Sequence, residues 1–159
     1  MNSRVGWGFD AHRLDGDPPL KLGGVVVSES VGVTATSDGD VLAHAVVDAV
    51  LGACALGDMG EHFPSDHPSN AGIDSMLLLE RAVSMAADAG YRVDHIDVTV
   101  IAQHVRVAPH RESIATNLAH VLAADRSDVS VKATTTDGLG VIGQGEGLAA
   151  VAVVSVSAI

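Results

Sequence analysis

Asp10 and His12, in Gly8-Phe9-Asp10-Ala11-His12-Arg13-Leu14, stand two apart in a stretch that reads as a strand. Residues two apart on a strand point to one side, so one carboxylate oxygen and one imidazole nitrogen can reach the same point. His44, in Ser37-Asp38-Gly39-Asp40-Val41-Leu42-Ala43-His44, can add a second imidazole from a following helix. Two imidazoles and a carboxylate suit zinc, and three protein ligands leave the fourth position open, as at catalytic zinc centres. An Asp-x-His pair also occurs as a plain surface pair on a strand. A second cluster is Lys132-Ala133-Thr134-Thr135-Thr136-Asp137. Its hydroxyls, backbone N–H groups and lysine can hold phosphate oxygens, and Asp137 can hold a hard cation such as Mg²⁺ between phosphates. Threonines also simply favour strands.

The elements that must position these residues follow from periodicity. Residues 3–13 read as the first strand, and Leu20–Val27 as a hairpin turning at Gly23-Gly24. Residues 28–37 form a polar connection. Residues 40–56 read as a helix with Asp38 or Asp40 as N-cap and Gly57 at its end. His44 and Asp48 share one face of it. Asp48 either supports the metal site from behind or bonds the backbone. Gly57–Pro68 reads as a Gly/Pro-punctuated loop, and residues 74–89 as an amphipathic helix with Asp74 as N-cap. In residues 93–103, Val98, Val100 and Ala102 alternate with Asp97, Thr99 and Gln103, which predicts a half-buried strand. Pro109 precedes a helix carrying Ile114, Leu118, Val121 and Leu122. Val129–Thr135 is a strand, Val141–Gly147 a Gly-rich loop, and Leu148–Ala158 a strand apolar enough to be covered on both faces. The expected fold is α/β (α+β): a two-layer sandwich of one mixed β-sheet with helices on one face. The whole chain, 1–159, is expected to form one domain.

Composition narrows the function. A net charge of -11 speaks against nucleic-acid and anionic-membrane binding. A phosphorylated substrate would need local cations at its site. Charged residues are 18%, below the usual ~25%, which suggests apolar surface covered by other subunits. The single cysteine, Cys54, lies in an apolar run and reads as buried, so thiol–metal chemistry is excluded. No apolar leader or membrane span is visible, and a cytoplasmic location is expected. Gly138-Leu139-Gly140-Val141-Ile142-Gly143 matches G-x-G-x-x-G, but too few residues follow Gly143 for the helix and strand a dinucleotide site needs.

Several blocks agree in order and spacing. They are Gly8–His12, Ser37–Asp40 with His44, Ala55-Leu56-Gly57-Asp58-Met59-Gly60, Asp97–Gln103 and Val131–Thr136. Through them the chain resembles the 2-C-methyl-D-erythritol 2,4-cyclodiphosphate synthase family end to end. The resemblance implies a homotrimer with active sites between subunits. It implies zinc on Asp10, His12 and His44, and Mg²⁺ or Mn²⁺ between substrate phosphates, with Asp137 at the second-cation position. The reaction implied is intramolecular phosphoryl transfer. It turns 4-diphosphocytidyl-2-C-methyl-D-erythritol 2-phosphate into the cyclic diphosphate and CMP, in non-mevalonate isoprenoid synthesis. The alternatives are a zinc-dependent phosphohydrolase and a non-enzymatic nucleotide-binding trimer.

Asp58, Lys132 and Thr135 are the expected catalytic residues. Thr36, Ser37, Asp58, Gly60, Ser65 and Asp66 are expected to bind substrate, Asp58 at its erythritol part. Ala102, Arg106, Val107, Ala108, Ala133 and Thr135 match the cytidine-site stretch of a neighbouring subunit, Thr134 and Thr135 would touch the diphosphate, and Thr136 is a further expected substrate-binding residue. Val141 and Gln144 are further expected substrate-binding residues, Gln144 near a cavity on the trimer axis. Four positions depart from the family pattern. Thr36 stands where a histidine is common, Ser65 where an acid is common, and Asp137 replaces a glutamate. Gln144 stands where an arginine is common, which weakens anion binding at the axis.

Overall fold

Asp40 starts the helix on which the rest packs. In the computed structural model, which describes residues 3–159, its carboxylate accepts the N–H of Ala43 (3.0 Å) and caps α1, Val41–Ala53. The same carboxylate accepts the N–H groups of Gly23 (2.9 Å) and Gly24 (2.7 Å). Those glycines turn the hairpin of β2, Leu20–Leu22, and β3, Val25–Ser28. One buried acid thus holds hairpin and helix together. Of the two N-cap candidates, Asp40 is the one used.

Every residue of α1 except Asp48 and Gly52 is buried, as an all-round apolar helix requires. The helix is shorter than expected. The N–H groups of Ala55 and Leu56 bond the carbonyls of Gly52 (3.1 Å) and Leu51 (3.0 Å), with Ala55 at φ 58. This closure ends the helix at Ala53, four residues ahead of Gly57.

The main sheet contains β1, Arg4–Arg13; β4, Tyr91–Ile101; β5, Val129–Thr134; and β6, Gly147–Ala158. Their order is β1-β6-β4-β5. The β4–β5 pair is parallel and the other two pairs are antiparallel, so the sheet is mixed. One face carries Ile96, Val98, Val100, Leu148, Ala150, Ala152, Val154 and Val156, all essentially inaccessible. It packs under α1, α3 (Ser75–Asp88) and α4 (Arg111–Leu122). Burying this side-chain layer is the main stabilising term. The two-layer expectation holds.

Three expectations are corrected. The apolar run of β6 is fully covered on one face only: on the other, Ala149 is buried and Val151 half-buried, but Val153 is 38% exposed, beside the exposed Val5 (67%), Trp7 (62%) and Phe9 (48%) of β1. The Gly57–Pro68 loop contains α2, Met59–His62, followed by a 3-10 turn at Pro68–Asn70. The Gly-rich stretch contains the one-turn helix α5, Gly140–Gly143. Elements of one turn are too short to show a periodicity. At α2, two carboxylates replace it as the cause: Asp58 accepts the N–H of Glu61 (2.9 Å) and Asp48 that of Met59 (2.7 Å).

Candidate active site

Gly6, Gly8, Asp10 and His12 face the helical layer from β1, while Trp7 and Phe9 face away. The two glycines let α1 approach closely. A Cβ on Gly8 would sit 1.9 Å from the carbonyl oxygen of Ala45. That closeness carries His44, in the first turn of α1, to the end of β1. Nδ1 of His44 lies 2.9 Å from Oδ2 of Asp10, and Nδ1 of His12 lies 3.1 Å from the same oxygen. One ligand atom from each residue falls within 4.8 Å of the others.

This donor set fits zinc. Nδ1 of His12 is buried and no described residue gives it a hydrogen bond. A buried nitrogen without a partner is costly unless a bound ion takes its lone pair. The Asp10 carboxylate keeps the site negative. Burial alone would raise its pKa, but the close contacts and charges of the His12 and His44 rings outweigh burial and lower it to about 2. On the far side of the ring, Nε2 of His44 meets Oγ of Ser75 (2.8 Å) and Oγ of Ser37 (3.1 Å). Asp48 bonds the α2 backbone at Met59. Burial, with the like charges of Asp58 and Asp10, raises its pKa against the pull of that N–H.

A cavity of about 160 Å³ opens over the triad, lined also by Thr36, Ser37, Met59, Phe63, Ser65 and Asn70. Asp58 and Gly60 flank Met59 at its edge and are exposed, while Asp66 is exposed and outside the lining.

The second cluster forms at the ends of β4 and β5. The N–H of Ala102 bonds the carbonyl of Thr134 (3.0 Å), and the N–H of Asp137 bonds Oγ1 of Thr135 (3.2 Å). Asp137 sits at φ 55, which tips it out of the strand direction; Asp tolerates this region better than most residues. Ala133, Thr134, Thr135, Arg106 and Ala108 are exposed, Thr136 is half-buried, and Ala102 and Val107 are buried anchors. Lys132 lies on the open sheet face, where Nζ contacts Asp97 Oδ2 at 2.6 Å. Burial would raise the Asp97 pKa, and the lysine pulls it down instead. Val141 lines a separate cavity of about 120 Å³ with Arg13, Glu146 and Gly147, and Gln144 is the exposed C-cap of α5.

The structure therefore unites the metal-ligand candidates with Thr36, Ser37 and Ser65, and separately joins Ala102 to Thr134 at the ends of β4 and β5, while Arg106 lines a different cavity with Leu14, Val27 and His104. It does not bring the two groups together. β1 and β5 are opposite edges of the sheet, three strand spacings or about 14 Å apart. Ser75, Asn70 and Phe63 join the site without notice in the sequence. Ser75 simply follows a helix N-cap, and Phe63 and Asn70 come from the stretch around α2.

The YgbB family model matches residues 3–157. The chain is 52% identical over 154 residues to the 2-C-methyl-D-erythritol 2,4-cyclodiphosphate synthase of Shewanella halifaxensis, covering 97% of each chain. It superposes on the bifunctional IspDF of Campylobacter jejuni with a TM-score of 0.96 at 39% identity. That match covers 99% of this chain and 43% of that longer one. It matches the IspF of Plasmodium falciparum, solved as a CDP complex, with a TM-score of 0.85 at 34% identity, covering 98% and 96% of the two chains. The end-to-end match and the intact triad lead to one statement: the chain belongs to the YgbB family.

Proposed function

We propose that this chain is a phosphorus–oxygen lyase. It converts 4-diphosphocytidyl-2-C-methyl-D-erythritol 2-phosphate into 2-C-methyl-D-erythritol 2,4-cyclodiphosphate and CMP. The observation that carries the reading is the Asp10–His12–His44 cluster, with its unpartnered His12 nitrogen, in a chain alike end to end with cyclodiphosphate synthases.

An oxygen of the substrate's own 2-phosphate attacks the β-phosphorus, and the bond from that phosphorus to the bridging oxygen breaks. CMP leaves with that oxygen. The nucleophile is already an anion within the substrate, so no general base and no water are needed. Catalysis is then positioning plus charge neutralisation. Asp10, His12 and His44 would hold zinc, and Asp137 a Mg²⁺ or Mn²⁺ ion; bound there, the cations neutralise phosphate oxygens. Asp58 Oδ1 is held by the Glu61 N–H, which leaves Oδ2 to accept from an erythritol hydroxyl beside Gly60. Thr36, Ser37 and Ser65 bound the 2-phosphate end, with Asp66 exposed beyond that lining. The hydroxyls of Thr134, Thr135 and Thr136 hold the diphosphate, with Lys132 as a nearby cation. Ala102, Arg106, Val107, Ala108 and Ala133 receive the cytidine.

The two halves belong to one site only if neighbouring copies complete each other. The homotrimer supplies that arrangement, with Val141 and Gln144 toward its axis. The exposed apolar stripe of Val5, Trp7, Phe9 and Val153 supports an interface on the open sheet face.

Incubation of the protein with the diphosphocytidyl substrate, Zn²⁺ and Mg²⁺, followed by phosphorus NMR, tests the reading. Equal amounts of cyclic diphosphate and CMP, with no ¹⁸O taken from labelled water, are expected. Label in the product would identify a hydrolase, and CMP binding without turnover would identify a binding module.

A further inference from the structure

The far side of the His44 ring carries a directional chain of hydrogen bonds. The Asp38 carboxylate accepts four bonds or contacts. They come from the N–H of Asp40 (3.2 Å), the N–H of Ser75 (3.2 Å), the Ser75 hydroxyl (2.5 Å) and, at 4.0 Å, Nζ of Lys21. A carboxylate only accepts, so the single hydroxyl proton of Ser75 goes to Asp38 at 2.5 Å rather than to the Ser37 hydroxyl at 3.4 Å. Ser75 is fully buried, and its oxygen, 2.8 Å from Nε2 of His44, is left with lone pairs to offer. Only a protonated Nε2 can meet it. The Ser37 hydroxyl, 3.1 Å from Nε2, already accepts the N–H of Gly39 (3.2 Å) and can share the same proton.

We infer that Asp38 and Ser75 are positioning residues for the metal centre: they fix the His44 proton on Nε2 and so turn the Nδ1 lone pair toward Asp10 and His12. A ring with the opposite tautomer would place a proton on Nδ1, 2.9 Å from Asp10 Oδ2, where it would occupy the ligand position. A neutral ring with an Nδ1 lone pair facing a carboxylate repels it until a cation sits between them. In a neutral ring, the chain of bonds therefore leaves the Nδ1 lone pair free for a cation. This inference rests on the metal reading above and goes beyond it by assigning the tautomer and the two residues that set it.

The test uses zinc-loaded protein labelled with ¹⁵N in histidine, with zinc affinity read by chelator competition. In the wild type, Nε2 of His44 carries a slowly exchanging proton and Nδ1 carries none. Ser75→Ala lowers zinc affinity roughly 10- to 100-fold and speeds exchange of that proton, with an unchanged circular dichroism spectrum. Asp38→Asn moves both readouts the same way, because the amide can donate to Ser75 and free its proton to reverse the ring. If Ser75→Ala fails to fold, the wild-type spectrum and Asp38→Asn carry the decision. A proton on Nδ1 in the wild type, or both folded variants binding zinc like the wild type, overturns the inference while leaving the metal site standing. Zinc that does not bind the wild type at all overturns both.

Discussion

Gly8 on β1 and Ala45 on α1 are in backbone contact: a Cβ added to Gly8 would lie 1.9 Å from the Ala45 carbonyl oxygen and 2.8 Å from the Ala49 nitrogen. Neither atom can swing away, because both belong to the helix backbone. Gly8→Ala must therefore lift α1 from β1, one residue from His44 and two from Asp10. We expect a loss of about 1–3 kcal/mol of stability or more and a zinc affinity reduced more than the loss of stability alone accounts for. Thermal melts and zinc titration on the same sample check this. A variant with wild-type zinc binding would show that the contact does not set the triad.

Opposite-edge placement of the two site halves makes a complementation experiment decisive. In the proposed trimer, His44→Ala removes the metal half of a site, and Thr135→Ala weakens the half that a neighbouring copy would contribute. Each variant alone is expected to lose on the order of 100-fold or more of CMP release, several kcal/mol in the barrier. After unfolding and reassembly of an equal mixture, about one site in four draws both intact halves. Activity should then return to roughly a quarter of the wild type. No recovery in a mixture that has demonstrably formed mixed trimers would mean that each site is built within one chain.

Trp7 and Phe9 stack at 6.2 Å between ring centres on the open sheet face. A charge there cannot be desolvated cheaply. Trp7→Asp is expected to sediment as a monomer at micromolar concentration, to keep one zinc per chain, and to lose CMP release. Retained zinc is the informative part, since the triad lies on the other face of β1. A trimeric, active Trp7→Asp protein would remove this face from the interface.

Asp40 gives a pH dependence with a definite sign. Burial raises its folded pKa above 3.8, and the nearby Asp38 charge adds to that rise, against the pull of the N–H groups of Ala43, Gly24 and Gly23. The folded state therefore binds the proton more tightly than the unfolded state. Its contribution to stability is greatest below pH 3.8 and declines as pH rises through the raised folded value. Asp40→Asn lacks this titration. The stability difference, wild type minus Asp40→Asn, should fall as pH is raised above 4, measured by urea unfolding at several pH values. A difference that rises over that window would mean that the N–H groups outweigh burial.

The sequence by itself determined what short-range rules encode. The two-residue period placed Asp10 and His12 on one face, and the capping aspartate with its apolar run placed His44 in the first turn of a helix. The alternation of Val98, Val100 and Ala102 with Asp97 and Thr99 marked which side of β4 is buried. Order and spacing of five blocks carried the family resemblance. Only the tertiary structure decided which strands are neighbours, because side-chain period tells a strand which face is buried and not whom it pairs with. The order β1-β6-β4-β5 sends the metal triad and the threonine cluster to opposite edges and leaves Trp7 and Phe9 uncovered. The hydrogen bond from Ser75 to Asp38 spans 37 residues and that between His44 Nε2 and Ser75 Oγ spans 31. No local pattern announces such pairs, since they exist only once α1 and α3 have packed side by side.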